Sequence, residues 1–139
     1  MSVDSTGMAA RLGIKPGMVV QELGWDEDAD EDLRDAVIDL SGSEMVDEDT
    51  DEVADVVLLW WREDDGDLVD ALVDAIASLA DEGVVWLLVP KSGRPGHVEP
   101  GDVTEVAPTA GLSQTSSISA AKDWSGIRLV TPKAARTRR

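Results

Sequence analysis

Two near-continuous apolar runs, Val56–Trp61 and Val84–Val89, most constrain what this chain can fold into. A strand with one face in water alternates apolar and polar side chains. An unbroken apolar run belongs to a strand covered on both faces, as in a parallel sheet flanked by helices. Between the runs, Leu68, Leu72, Ala75, Ile76 and Leu79 recur at spacings of 4, 3, 1 and 3, the period of an amphipathic helix. Strand, helix, strand in that order is the repeating unit of an α/β protein.

The rest of the chain extends this alternation. Met18–Gly24 reads as a first strand, and Leu33, Ala36, Val37 and Leu40 mark a helix from about Asp28 to Leu40, with acids in its first turn. Residues 44–47 allow a very short strand. Val53–Trp61 is the second strand, Asp67–Ala80 the clearest helix, stopped by Asp81-Glu82-Gly83, and Val84–Lys91 the next strand. After a Gly/Pro loop over 92–101, Asp102 and Glu105 have the spacing of a capping box that opens a short helix, limited by Pro108 and closed by Gly111. Leu112–Ala121 and Ile127–Thr131 then form a hairpin around a turn at Asp123–Gly126. The expected fold class is α/β: a three-layer sandwich with a mostly parallel sheet and a C-terminal antiparallel hairpin. A single domain over residues 8–133 is expected, with flexible termini at 1–7 and 134–139.

The charge is unevenly spread. The chain has 29 acidic and 12 basic residues, a net −17. Residues 1–67 hold 21 acids and 4 bases, while residues 68–139 hold 8 of each. Such a field repels nucleic acid and anionic membrane and attracts basic protein surfaces. Its self-repulsion predicts a melting temperature that rises with salt, unless Arg11, Lys15, Arg34 and Arg62 pair with the acidic runs. No cysteine is present, which excludes disulfides, thiol nucleophiles and cysteine–zinc centres and fits a cytoplasmic protein. The longest apolar run falls far short of the ~20 residues of a membrane span, and no secretory signal is expected after Met1.

Ligands of open α/β sheets bind at the carboxyl ends of the strands. The first such turn here is Gly24-Trp25-Asp26-Glu27-Asp28, one glycine and three carboxylates, which excludes a nucleotide phosphate at that point. With no Phe and no Tyr, five tryptophans supply all aromatic packing, so core and cleft compete for them. The residues expected to line a ligand cleft are Gly24, Trp25, Trp60, Trp61, Arg94 and His97. His97, the only histidine, has Ser92 and Glu99 nearby but no nucleophile–base spacing, so no catalytic residue is assigned. One histidine without cysteine does not make a zinc site, and the acidic runs lack the glycine-containing spacing of a calcium loop. No metal is expected. The Lys91–His97 loop is basic and offers a contact with the acidic face of a second copy; a monomer is expected, with a weak homodimer as the alternative.

Four segments carry a family resemblance: Gly17-Met-Val-Val-Gln-Glu-Leu-Gly-Trp-Asp, Val56-Val-Leu-Leu-Trp-Trp-Arg, Val84-Val-Trp-Leu-Leu-Val-Pro-Lys-Ser-Gly-Arg-Pro-Gly-His-Val and Lys122-Asp-Trp-Ser-Gly-Ile-Arg-Leu-Val. They resemble the actinobacterial family catalogued as domain of unknown function 3052, which implies no activity. More distantly, Lys15–Gly24, Asp55–Trp60 and Leu79–Trp86 are similar to the core of Rossmann-like methyltransferases, with Asp47 at the place of the acid after their second strand. Gly24-Trp-Asp-Glu stands where those enzymes carry a Gly-x-Gly run. The resemblance implies their fold without their activity. The functional expectation is a non-enzymatic regulatory or interaction protein that docks a basic partner and needs no cofactor. A protein binding an S-adenosylmethionine-like molecule, or a divergent methyltransferase, is the alternative.

Overall fold

The computed structural model describes residues 9–50 and 52–131. The flexible termini expected at 1–7 and 134–139 lie outside the described residues. Five strands, β1 (Val20–Leu23), β2 (Ala54–Trp60), β3 (Leu79–Pro90), β4 (Ser113–Ser119) and β5 (Trp124–Val130), form one sheet in the order β1-β2-β3-β5-β4. Residues 9–11 are helical, and three further helices, α1 (Glu31–Ser41), α2 (Leu68–Ala75) and α3 (Pro100–Val106), cover the faces of the sheet.

β1, β2 and β3 pair in parallel, with Leu23 beside Leu59 and Leu59 beside Leu87. β5 enters antiparallel between β3 and β4. The sheet is therefore less parallel than expected: two of its four pairings are antiparallel, although only β5 runs against the rest. On its other side β1 bridges Val46, within the short strand expected at 44–47, of which one bridge residue forms. Glu22 N–H donates to the Val46 carbonyl at 2.8 Å, and Val46 N–H to that of Val20 at 2.9 Å. Backbone therefore pairs with β1 on both sides, and the chain changes direction across the sheet there, where α/β folds hold ligands.

The apolar runs bury as their pattern demands. On one face Val57, Leu59, Val85 and Leu87 pack with Leu72 and Ala75 of α2 and Val103 of α3. On the other, Val56, Leu58, Trp60 and Trp86 pack with Leu33, Ala36 and Val37 of α1 and with Leu12 and Ile14. The result is a three-layer sandwich.

Several boundaries differ from the sequence reading. α1 begins at Glu31, not Asp28, because the Asp30 carboxylate caps it by accepting from Leu33 N–H at 2.8 Å. α2 ends at Ala75 rather than Ala80. Ser78 has already left the helix, its carbonyl accepting from Ala54 N–H at 2.7 Å, and Leu79 opens β3. Gly83 permits the fold-back, since a Cβ there would sit 2.6 Å from Leu79 Cδ1. The capping box is not formed: α3 starts at Pro100 with Glu99 as N-cap, which places Asp102 inside the first turn. The hairpin turn occupies 121–123, and Trp124 to Gly126 belong to β5. Gly126 is a strand glycine, with the Trp86 ring and Ala120 each 3.2 Å from where its Cβ would be.

Candidate functional site

A cleft of about 670 Å³ opens at the carboxyl ends of β1 and β2. Gly24, Trp25, Trp60 and Trp61 line it, so four of the six expected residues come together. Arg94 does not join them. It lies in a shallow depression with Asp28, Asp123 and Trp124, and its guanidinium pairs with Asp123 at 3.3 Å. His97 lines a third groove, against Gln114, Ser117 and Ile118. Its Nδ1 lies 2.9 Å from the Pro90 carbonyl oxygen, which fixes Nδ1 as the donor, and its Nε2 is 3.2 Å from Glu99.

The tryptophans divide between core and surface. Trp60 is fully buried, its indole N–H donating to Glu22 Oε2 at 2.9 Å and its ring edge-on to Trp124 at 4.8 Å. Trp61 is also buried, within the core on the α2 side. Trp25 is the exception, 50% exposed. Its N–H donates to Glu31 at 3.2 Å, and Arg34 sits 5.7 Å from its ring centre. Of the aromatic residues at the cleft, only Trp25 offers an open ring to a partner.

The residue that organises the cleft is Arg62, which the sequence reading placed among the bases able to pair with the acidic runs but not among the cleft residues. It follows β2, and its guanidinium reaches across to β1 and the turn before α1. Nη1 donates to the Gly24 carbonyl at 2.7 Å and the Trp60 carbonyl at 3.3 Å. Nε donates to Asp28 Oδ2 at 3.1 Å, and Nη2 donates to Asp28 Oδ1. Asp65 Oδ2 accepts from both the Arg62 backbone and Nη1, and the Trp124 ring lies 5.2 Å from the guanidinium carbon. The Arg62 hydrogen bond holds the Asp28 carboxyl below its usual range. Burial opposes the Arg62 charge, but the bonds and charges of Asp28 and Asp65 more than offset it and raise its pKa. One signal was available: Arg62 is the only base between Asp35 and Pro90.

Arg34 makes a second set of ion pairs, with Glu22 and Glu31. It binds Glu22 through Nε at 2.5 Å and Nη2 at 2.8 Å, and Glu31 through Nη1 at 2.8 Å. The hydrogen bond to Arg34 lowers the Glu31 carboxyl, followed by the bond from Trp25. Around these pairs the cleft is lined by Glu22, Asp26, Asp47, Glu48, Asp65 and Asp74, against the single base Arg62.

The turn does not fit a glycine-rich cradle. Gly24 is left-handed at φ +75°, and a Cβ on it would lie 2.3 Å from the Trp60 carbonyl oxygen. The glycine serves a close approach between β1 and β2 rather than an opening for a ligand. The guanidinium of Arg62 holds the Gly24 carbonyl of the same turn. Among the described residues no group of histidines and carboxylates is arranged to hold a metal ion. None of their helices is long and apolar enough to cross a membrane.

These features define a class: an α/β sandwich of the methyltransferase type. Solved structures bear out the fold. The pyocyanin biosynthetic protein PhzM superimposes with a TM-score of 0.67 at 12% identity, over 92% of this chain and 54% of PhzM, about half of that protein. An S-adenosylmethionine-dependent methyltransferase from Aquifex aeolicus matches with a TM-score of 0.64 at 13% identity, over 93% of this chain and 90% of that one. At such identities the likeness concerns the fold alone. The chain belongs to the family described as "Protein of unknown function (DUF3052)", which matches residues 9–133. An uncharacterized protein of Mycobacterium tuberculosis H37Rv and one of Mycobacterium bovis are each 56% identical to it over 129 residues, 93% of this chain and 81% of theirs.

Proposed function

We propose that this protein is a non-enzymatic, cytoplasmic interaction module whose acidic cleft receives the basic side chains of a partner protein. The observation that carries the reading is the lining of the cleft: of its six acidic residues Glu22 is held by Arg34 and Asp65 by Arg62, which leaves Asp26, Asp47, Glu48 and Asp74 beside one arginine that is already bound to Asp28 and Asp65. A cationic side chain entering beside Trp25 meets carboxylates at the rim and a half-exposed indole for a cation–π contact. An anion, nucleic acid or anionic lipid meets the same carboxylates as repulsion.

Placement alone favours a second reading, a small molecule of the S-adenosylmethionine type. The cleft lies at the switch point of the sheet, and Asp47 follows the Val46 bridge on its rim. Against it stand the closed Gly24 turn and Arg62.

Affinity capture from a lysate of the source organism separates the readings, using the native protein and an Asp26→Asn/Asp47→Asn/Glu48→Gln variant as baits. The docking reading expects a basic protein retained by the native bait at low salt, released at high salt and absent from the variant. Equal retention by both baits contradicts it.

A further inference from the structure

We infer that the outer edge of β4 is a self-association surface, through which two copies join their sheets edge to edge. β4 is the terminal strand of the sheet. Among the described residues, no backbone group of Ser113–Ser119 bonds to any element other than β5. The opposite edge is treated differently, because β1 is covered by Val46. Proteins usually blunt an open edge with charged residues or proline. β4 has neither; its sequence is Ser-Gln-Thr-Ser-Ser-Ile-Ser, and no charged residue occurs from Val106 to Ala121. One register shift, between Gln114 and Ser116, interrupts the first half, where such an irregularity blunts the edge, and leaves Ser116–Ser119 regular.

Charge selects a second copy as the occupant. The −17 belongs to residues 1–67, which contribute β1, α1 and β2 at the far side of the sheet. β1 and β4 are separated by four strand spacings, about 19 Å, well beyond the Debye length of about 8 Å at physiological salt. Pairing two β4 edges keeps the acidic halves at opposite ends of a ten-stranded sheet. A basic chain would instead meet Lys91, which bonds Ser119 Oγ at 2.6 Å, and Arg128, which bonds Thr115 Oγ1 at 2.9 Å.

The register follows from the ladder. Ala120 N–H donates inward to the Trp124 carbonyl at 3.0 Å. By alternation Ser117 and Ser119 direct their N–H and C=O groups outward. An antiparallel two-fold pairing then joins Ser117 of one copy to Ser119 of the other, twice, for four backbone hydrogen bonds. The axis passes through Ile118, the strand's only apolar side chain, which is half-buried against the core on the α1 side. Ile118 meets its own copy there.

The interface is small, so the dimer is weak and concentration-dependent. The test is sedimentation velocity on the full chain from about 5 to 500 µM, with hydrogen exchange at both ends of the range. Expected are a mass that shifts toward dimer, slower exchange at Ser117 and Ser119 in the concentrated sample, and association that salt leaves unchanged or strengthens. Ser117→Pro removes an outward N–H and leaves the β4–β5 ladder intact, so it yields a monomer with an unchanged melting temperature. Ser117→Lys does the same by charge. A monomer at every concentration overturns the inference. So does a dimer that survives both variants, or one that dissociates in salt, which assigns contact to the basic loop and the acidic face instead.

Discussion

Arg62 and Asp28 are joined by two hydrogen bonds across 34 residues of sequence, clamping the end of β2 to the turn that leads into α1. The same guanidinium holds the carbonyl of Gly24. The clamp fixes one wall of the cleft and engages the one base that lines it, so that the charge of the cleft is set by carboxylates.

Removing that clamp has a structural cost. Arg62→Ala leaves the Gly24 and Trp60 carbonyls and Asp28 without their donor, and a loss of about 2 kcal/mol in urea denaturation is expected. Arg62→Lys does not restore it, since a single ammonium cannot reproduce the planar fork. Full rescue by lysine would show that only the charge matters.

Gly24→Ala tests the close approach of the strands. Alanine at φ +75° is strained, and its Cβ would sit 2.3 Å from a carbonyl oxygen. A loss of about 2–4 kcal/mol is expected, larger than for an ordinary left-handed glycine, because strain and collision combine. Gly42→Ala, also left-handed but with open space around it, is the comparison and loses less.

The sheet core and the helix on either side were legible because both signals are local: apolar continuity marks a doubly covered strand, and 3–4 spacing marks a helix. The end of α2 was not legible. Leu79 continues the helical spacing, but it is held as strand by the Ser78–Ala54 hydrogen bond, a pairing across 24 residues. The cleft was half legible. Gly24, Trp25, Trp60 and Trp61 follow from the rule that strand ends line the site, whereas Arg94 and His97 lie on a loop whose path the sequence does not specify. Arg62 was legible as a base able to pair with the acidic runs, but its place in the cleft was not, because it depends on Asp28 and Gly24, partners that only the fold brings near.

Acid should remove the stabilisation that comes from the two carboxylates held by arginine. Asp28 and Glu31 have carboxyl groups lowered in the fold, first by the hydrogen bonds from Arg62 and Arg34. A lowered group contributes stability above its unfolded pKa and loses it as pH falls through the folded value. Protonation of the unpaired acids relieves repulsion over the same range, so the loss is read as a difference: as pH drops from about 5 toward 3, through the usual carboxylate range, the melting temperature should fall relative to what relief of repulsion alone gives. The fall should be shallower in Arg62→Ala, where the Asp28 contribution is already absent. An equal slope in both proteins would contradict the assignment.

Salt should strengthen it. Arg34 and Arg62 hold Glu22, Glu31, Asp28 and Asp65, but 29 acids against 12 bases leave a net repulsion. Between about 10 and 500 mM sodium chloride the Debye length falls from about 30 Å to a few ångströms, and the melting temperature should rise. A fall would mean that the ion pairs outweigh the repulsion.

Calorimetric titration of the native protein with a lysine- and arginine-rich octapeptide and, separately, with S-adenosylmethionine tests the central claim most directly. The docking account predicts saturable peptide binding at low salt, weakened about tenfold or more at high salt and lost in Asp26→Asn/Asp47→Asn/Glu48→Gln, with no heat from the methyl donor. Saturable binding of S-adenosylmethionine, or peptide binding indifferent to both salt and the three substitutions, would contradict it.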